Sequence, residues 1–180
     1  MGKLEAKPGE VVLEIGFGTG YALSKIAEKT GRKGRVCGID ISPKMQGSAM
    51  AKLIKKNISG QVELICGDAV SLPYPDEKFD AVFMSFTLEL FDTPEIPVIL
   101  KETRRVLRPG GRLVVLGTSK ENGRSIYLKI YEWAHYKFPE YIDCRPIYVS
   151  ESIKDAGFII EYKNNIKIYV IPAEIVIGVK

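Results

Sequence analysis

The sequence predicts an α/β fold built on a mostly parallel sheet, and two features of its pattern support this class. Along the first two thirds of the chain, short β-branched runs alternate with helical patterns, which favours parallel strands joined by right-handed crossovers, with helices on both faces. Near the end, two strand patterns separated by Ile171 and Pro172 are typical of an antiparallel hairpin. The predicted strands are residues 10–15, 34–41, 61–66, 79–86, 111–117, 158–170 and 173–180.

The predicted helices have recognisable ends. Ser42 before Pro43, and Thr93 before Pro94, each resemble an N-cap followed by a proline in the first turn. Gly31 is typical of the residue that follows a helix C-terminus. The predicted helices are residues 21–30, 43–57, 93–107, 125–139 and 149–158.

The second helix has an apolar pattern at a spacing of four residues. Met45, Ala49 and Leu53 form one row, and Met50 with Ile54 forms a second. Both rows are expected to pack against the sheet, which makes these methionines core residues.

Length and composition limit the class of protein. The 180 residues are enough for one domain with a single core. No run approaches the roughly 18 apolar residues of a membrane-spanning helix, and the first residues lack the apolar core of a signal peptide, so a cytoplasmic protein is expected. Three widely spaced cysteines, Cys37, Cys66 and Cys144, and a single histidine make disulfides and a metal site unexpected.

The net charge of +4 comes from dispersed basic residues. Lys52, Lys55 and Lys56 share one predicted helix face, and several arginines fall in 104–108, where a helix C-terminus favours cations. These groups are interpreted as solvated faces and dipole compensation, so no nucleic-acid partner is expected.

A glycine-rich turn follows the first strand, in the run EIGFGTG. Gly16, Gly18 and Gly20 allow positive φ and a close approach of another molecule to the backbone. Such a turn lies at the carboxyl edge of the sheet, where ligands of open α/β folds bind. The spacing differs from the G-x-G-x-x-G of dinucleotide enzymes, although a nicotinamide-dependent oxidoreductase stays as an alternative.

Two acidic residues follow the next two strands. Asp40 lies 20 residues after Gly20 and is placed to accept hydrogen bonds from both hydroxyls of a ribose, whichever cofactor carries it. Asp68, in Gly67-Asp68-Ala69, follows the third strand. The sequence therefore predicts a nucleoside site at this edge.

The run from Glu14 to Gly20 resembles the first motif of class I S-adenosylmethionine-dependent methyltransferases, and the stretches at 38–40, 67–69 and 79–91 match further family motifs in order. The resemblance covers residues 9–117. It implies a Rossmann-like, seven-stranded, three-layer fold, and S-adenosyl-L-methionine as cofactor with S-adenosyl-L-homocysteine as product.

The resemblance also implies roles for individual residues. Glu14 would orient the methionine portion of the cofactor, Ile41 would pack against the adenine, Asp68 would meet its amino group, and Ser85 with Phe86 would flank the methyl donor. The implied cofactor residues are Glu14, Gly16, Phe17, Gly18, Gly20, Asp40, Ile41, Gly67, Asp68, Ala69 and Ser85.

The last third resembles ubiquinone/menaquinone-biosynthesis C-methyltransferases and phospholipid N-methyltransferases. This resemblance implies a small, hydrophobic acceptor such as a quinone precursor or a lipid, with at most peripheral membrane contact. Relatives carry helices ahead of the glycine strand that cover the acceptor, whereas about ten residues precede it here. Either residues 127–141 or the second subunit of a homodimer is expected to close the pocket, or the pocket is open.

A sulfonium methyl group is already activated, so its transfer chiefly requires an aligned acceptor. An oxygen or carbon acceptor can also need a base, for which His135 and Glu89 are candidates. An alternative role for Glu89 is to cap a backbone group. The alternative interpretation of His135 is that it is an exposed residue of the helix with no catalytic role. A non-catalytic subunit with the methyltransferase fold is the further alternative.

Overall fold

The computed structural model describes residues 4–120, 146–168 and 171–180. It contains a seven-stranded sheet in the order β3-β2-β1-β4-β5-β7-β6. The pairs among β1 to β5 are parallel, and β7 pairs antiparallel with β5 and β6. The predicted fold class is therefore confirmed. The strands are β1 (Val11–Ile15), β2 (Arg35–Asp40), β3 (Val62–Cys66), β4 (Phe79–Ser85), β5 (Leu107–Thr118), β6 (Ile159–Ile168) and β7 (Ile171–Val179).

Helices cover both faces of this sheet. Leu23 and Leu53 belong to the core cluster on one face, and Leu100 and Ile153 belong to the cluster on the other. The predicted helix at 125–139, with His135, and the cysteine at 144 lie outside the described residues. The described helices are α1 (Tyr21–Thr30), α2 (Pro43–Lys55), α3 (Ile96–Val106) and α4 (Val149–Asp155), with short 3-10 turns at Ser59–Gln61 and Leu88–Leu90.

The start of α2 is predicted correctly, and the start of α3 is not. Ser42 Oγ accepts a hydrogen bond from the Met45 N–H at 3.4 Å, as an N-cap should. Ahead of α3, the Asp92 carbonyl accepts from the N–H groups of Glu95 and Ile96 at 2.8 and 3.3 Å. Residues 93–94 therefore form a turn outside the helix.

One of the two predicted apolar rows of α2 faces solvent. Ala49 and Leu53 are buried, but Met50 is 36% exposed and Ile54 is 61% exposed. Met50 follows Ala49 and Ile54 follows Leu53, and one position along a helix is a rotation of about 100°. That rotation turns both side chains away from the sheet.

Two strand boundaries also differ from the prediction. Strand β5 begins directly after α3, because the register with β4 shifts between Phe79 and Ala81 and absorbs the extra residues of the segment 108–111 as a bulge. Ile171 and Pro172 belong to β7 rather than to a connection. Proline is tolerated there because it lies at the beginning of the strand.

None of the helices within the described residues is long and apolar enough to span a membrane.

Candidate functional site

A cleft of about 350 Å³ opens at the carboxyl edge of the sheet. It lies beside β1, where the strand order reverses. Strands β2 and β3 lie on one side of β1, and β4 lies on the other side. Ligands of open α/β sheets bind at such a switch point, and the volume is within the range of small-molecule sites. The cleft is lined by Ile15, Gly16, Ile39, Asp40, Ile41, Gly67, Asp68, Ala69, Thr87, Leu90, Phe91 and Glu95.

Gly16 begins the glycine loop and borders the cleft. It has φ of 72°, and its N–H donates to the Ile39 carbonyl at 2.8 Å. A Cβ at this position would lie 2.3 Å from Thr87 Cγ2 and 2.4 Å from Thr87 Oγ1. Only glycine lets the loop after β1 lie against the segment that follows β4.

Other residues of the glycine loop pack against the interior of the protein. The Phe17 side chain is buried against Gly38, and Gly20 lies so close to Ala49 that an added Cβ would be 2.8 Å from the Ala49 Cβ. Neither residue lines the cleft. Gly18 has φ of 51°, and nothing lies within 4 Å of the position of its missing Cβ.

Asp40 joins the glycine loop to the end of β2. Its Oδ2 accepts from the Gly18 N–H at 2.8 Å, and its Oδ1 accepts from the Ser42 N–H at 2.9 Å. A carboxylate has about four lone-pair sites, so both oxygens keep the capacity to accept a further hydrogen bond from the cleft. Sequence reasoning identified the residue but not its contact with the loop.

Glu14 lies in β1 beneath the loop and is 2% exposed. Burial, together with the nearby charge of Asp40, raises the pKa of its carboxyl well above the ordinary value, and the N–H of Leu23 offsets part of this effect. Its Oε2 has no hydrogen-bond partner in the described part of the chain. Burial therefore favours the protonated form of this carboxyl, and a nearby cation would favour the ionised form. Glu14 itself does not line the cleft.

The remaining walls are apolar except for Thr87 and two carboxylates, Asp68 and Glu95. Ile41 and Leu90 are exposed large apolar residues that both line the cleft. Asp68 accepts from the Val70 N–H through Oδ1 at 3.0 Å, which fixes the turn after β3. An aromatic ring system with a polar edge is compatible with these walls.

The segment after β4 supplies residues that the sequence analysis missed. Ser85 ends β4, is partly buried and does not line the cleft, and its carbonyl accepts from Thr87 Oγ1 at 3.1 Å. Phe86 has φ of 52°, a left-handed conformation that is costly for an aromatic residue. Thr87, Leu90 and Phe91 lie within the stretch 79–91 that resembles a family motif but were not singled out as cofactor residues, and Glu95 lies beyond that stretch.

Glu89 lies behind the cleft rather than in it. It is fully buried, and its Oε1 accepts from the N–H and the Oγ1 of Thr118 at 2.9 and 3.3 Å. Burial raises the pKa of this carboxyl. The contact matches the alternative in which Glu89 caps a backbone group.

Known proteins resemble this chain in both sequence and fold. A family model described as a methyltransferase domain matches residues 12–111. The chain is 36% identical over 126 residues to a demethylmenaquinone methyltransferase of Lactobacillus johnsonii, covering 70% of this chain and 51% of that protein. It is 37% identical over 132 residues to the ubiquinone/menaquinone biosynthesis C-methyltransferase UbiE of Ectopseudomonas mendocina, covering 73% and 50%. The chain thus spans about half the length of the curated relatives it matches.

A solved structure with this fold is an S-adenosylmethionine-dependent methyltransferase of Methanosarcina mazei, with a TM-score of 0.81 over 98% of this chain and 94% of that chain at 22% identity. The matched family model extends from β1 into β5 and includes the four strand ends around the cleft. On this agreement of sequence, fold and strand-end motifs, the chain belongs to the class I S-adenosylmethionine-dependent methyltransferases.

Proposed function

We propose that this protein transfers the methyl group of S-adenosyl-L-methionine to a small, hydrophobic, quinone-type acceptor. The observation that carries the proposal is the cleft in which Asp40 holds the glycine loop and keeps acceptor capacity for a nucleoside. The quinone class is supported by the names of the two sequence relatives.

The residues of the cleft fit this cofactor. Asp40 would accept hydrogen bonds from the ribose hydroxyls, and Asp68 from the adenine amino group. Ile41 and Leu90 would hold the two faces of the adenine ring. The unpartnered oxygen of Glu14 would take up the positive charge of the methionine portion.

The bound cofactor supplies an activated methyl group, so the main task of the protein is to align the acceptor and exclude water. The strained Phe86 and the neighbouring Thr87 occupy the position between the cofactor cleft and the end of β5. We infer that they set the direction from which the acceptor approaches. His135 stays a prediction for a general base.

Asp40→Ala is expected to weaken S-adenosylmethionine binding by about 1.5 to 3 kcal/mol, the range for hydrogen bonds to a charged group. Isothermal titration calorimetry measures the loss directly. Asp68→Ala is the comparison, because it removes a carboxylate from the same cleft without releasing the glycine loop. Equal affinities for wild-type protein and Asp40→Ala would contradict the ribose assignment.

Glu89 gives a second prediction, on the role of its buried carboxyl. Glu89→Gln keeps an acceptor for the Thr118 N–H and is expected to retain most of kcat, whereas Glu89→Ala leaves that N–H unpaired and is expected to cost about 1 to 3 kcal/mol of stability. Urea unfolding and single-turnover methyl transfer separate the two effects. A large loss of kcat in Glu89→Gln at unchanged stability would instead identify Glu89 as the general base.

The proposed function is tested in two steps. Thermal unfolding is recorded with S-adenosylmethionine, S-adenosylhomocysteine and NAD, since a ligand at about a hundred times its Kd stabilises by roughly 2.7 kcal/mol and shifts Tm by about 5 to 10 °C. Transfer of labelled methyl from the cofactor is then measured with reduced demethylated quinones and with phospholipids. A Tm shift with NAD alone indicates an oxidoreductase, and cofactor binding without transfer to any acceptor favours the non-catalytic alternative.

A further inference from the structure

The charge of this chain is concentrated in one segment. Residues 21–56 contain nine lysines and arginines and two acidic residues, a net charge of +7, whereas the remainder of the chain carries −3. Since the whole chain has a net charge of +4, this segment accounts for all of its positive excess. A single-sign field of this kind acts on partners over about 8 to 10 Å at ordinary ionic strength.

The fold brings the segment to one side of the molecule. Helices α1 and α2 pack on the same face of the sheet and touch each other, with Lys56 Nζ 2.7 Å from Glu28 Oε1. Lys52 Nζ of α2 also lies 3.3 Å from Thr19 Oγ1 in the loop before α1. Asp40 is turned into the glycine loop. Glu28 is thus the acidic residue of the segment that remains on the outside.

Most of the positive charge on this side is uncompensated. Glu28 is already paired with Lys25 at 3.2 Å as well as with Lys56. Several other basic side chains form no ion pair with any residue that the structure describes. They are Lys29, Arg32, Lys33, Lys44 and Lys55.

Exposed apolar side chains lie on the same two helices as these cations. Tyr21 is 62% exposed at the start of α1, with Lys52 Nζ 5.8 Å from the centre of its ring. On α2, Met50 and Ile54 are exposed one turn apart, although the adjacent residues Ala49 and Leu53 already satisfy the core. We call the outer surface of α1 and α2 with the turn at 31–34 the basic helix face.

We propose that the basic helix face docks on a membrane surface containing anionic phospholipids. Each lysine or arginine near such a surface contributes attraction to the lipid headgroups, and exposed apolar side chains enter the boundary between headgroups and acyl chains. A nucleic acid would use the cations but has no use for the aliphatic side chains of Met50 and Ile54 on the same face. The inference concerns a surface outside the cofactor cleft and does not depend on the proposed methyl transfer.

The test is co-sedimentation of the full chain with sucrose-loaded vesicles, one set of pure phosphatidylcholine and one with about a third phosphatidylglycerol. Binding is expected only to the anionic vesicles and is expected to weaken as salt is raised. Lys44→Gln with Lys55→Gln should lower the partition coefficient about 30-fold, which is about 1 kcal/mol for each charge. Ile54→Gln should lower it about tenfold through lost insertion.

Matched control variants lie on other surfaces. Lys154→Gln with Lys167→Gln makes the same charge change on α4 and β6, and Ile159→Gln changes a side chain that is 71% exposed. Both are expected to bind vesicles like the wild-type protein, with unchanged Tm. The proposal is overturned by absent binding, by equal binding to neutral vesicles, or by equal losses in the control variants. Tighter binding to a fluorescent RNA or DNA oligonucleotide that Ile54→Gln leaves unchanged would overturn it in favour of a nucleic-acid surface.

Discussion

Gly16→Ala is expected to destabilise the protein by about 2 to 5 kcal/mol and to reduce S-adenosylmethionine binding below detection. Two costs add at this position. A residue with a side chain at φ of 72° costs about 1 to 2 kcal/mol. The new methyl group would also lie 2.3 Å from Thr87 Cγ2, and relieving such an overlap in a packed site costs a further 1 to 3 kcal/mol or so. The loop and the segment after β4 would have to move apart, which opens the cleft.

Gly110→Ala, at the start of β5 and away from the cleft, is the matched control for this substitution. It also has positive φ, but an added Cβ meets nothing within 4 Å. We expect it to cost only the backbone part, about 1 to 2 kcal/mol, and to keep measurable binding. Urea unfolding and calorimetry on both variants give the comparison. Similar losses in the two variants would mean that the contact with Thr87 has no special importance.

The order of elements and the motif residues of the cleft could be predicted from the sequence because both depend on local pattern. Alternating runs predicted the parallel strands, and residues that follow strand ends converge at one edge of any such sheet. Gly16, Asp40 and Asp68 could be placed at this edge for this reason, whereas the roles of Ile41 and Asp68 toward adenine came from the resemblance to the methyltransferase family.

The details that failed depend on packing that a local pattern does not contain. Thr93 and Pro94 have the right chemistry for a helix start, but the Asp92 carbonyl forms a turn with the following residues first. Ile54 has the helical spacing of a core residue and lies beyond the edge of the sheet. Thr87 lies within a motif stretch, but its importance arises from a contact that the motif does not show, with Gly16 at the end of the neighbouring strand.

The state of a buried acid is likewise decided by its surroundings in three dimensions. Glu14 was identified as a strand-end acid, but its lack of a partner at Oε2 and its raised pKa arise from burial beneath the loop and from the charge of Asp40. These are the properties that make its replacement informative.

Glu14→Gln is expected to stabilise the protein without cofactor at neutral pH. A carboxyl whose pKa is raised on folding contributes stability that is fully present below the pKa of the unfolded chain and is lost as pH rises toward the folded value, with a slope of at most about 1.4 kcal/mol per pH unit. Glutamine stays neutral and avoids that loss. Urea unfolding is therefore expected to give equal stability for the two proteins near pH 4 and higher stability for the variant near pH 7. Glu161→Gln, an exposed change on β6, should leave the profile as it is.

The same variant is expected to bind S-adenosylmethionine at least a hundredfold more weakly, because the positive charge of the cofactor then meets no carboxylate in a buried site, a loss on the order of 3 kcal/mol. For the wild-type protein the cation favours the ionised carboxyl, so affinity should rise between about pH 5 and about pH 7, while the ammonium of the cofactor stays charged. Calorimetry should find that rise absent in Glu14→Gln. Greater stability of Glu14→Gln together with weaker binding would mean that Glu14 is kept buried and unpaired for its cationic ligand. Lower stability of the variant at neutral pH with unchanged affinity would mean that Glu14 is only a structural residue of β1.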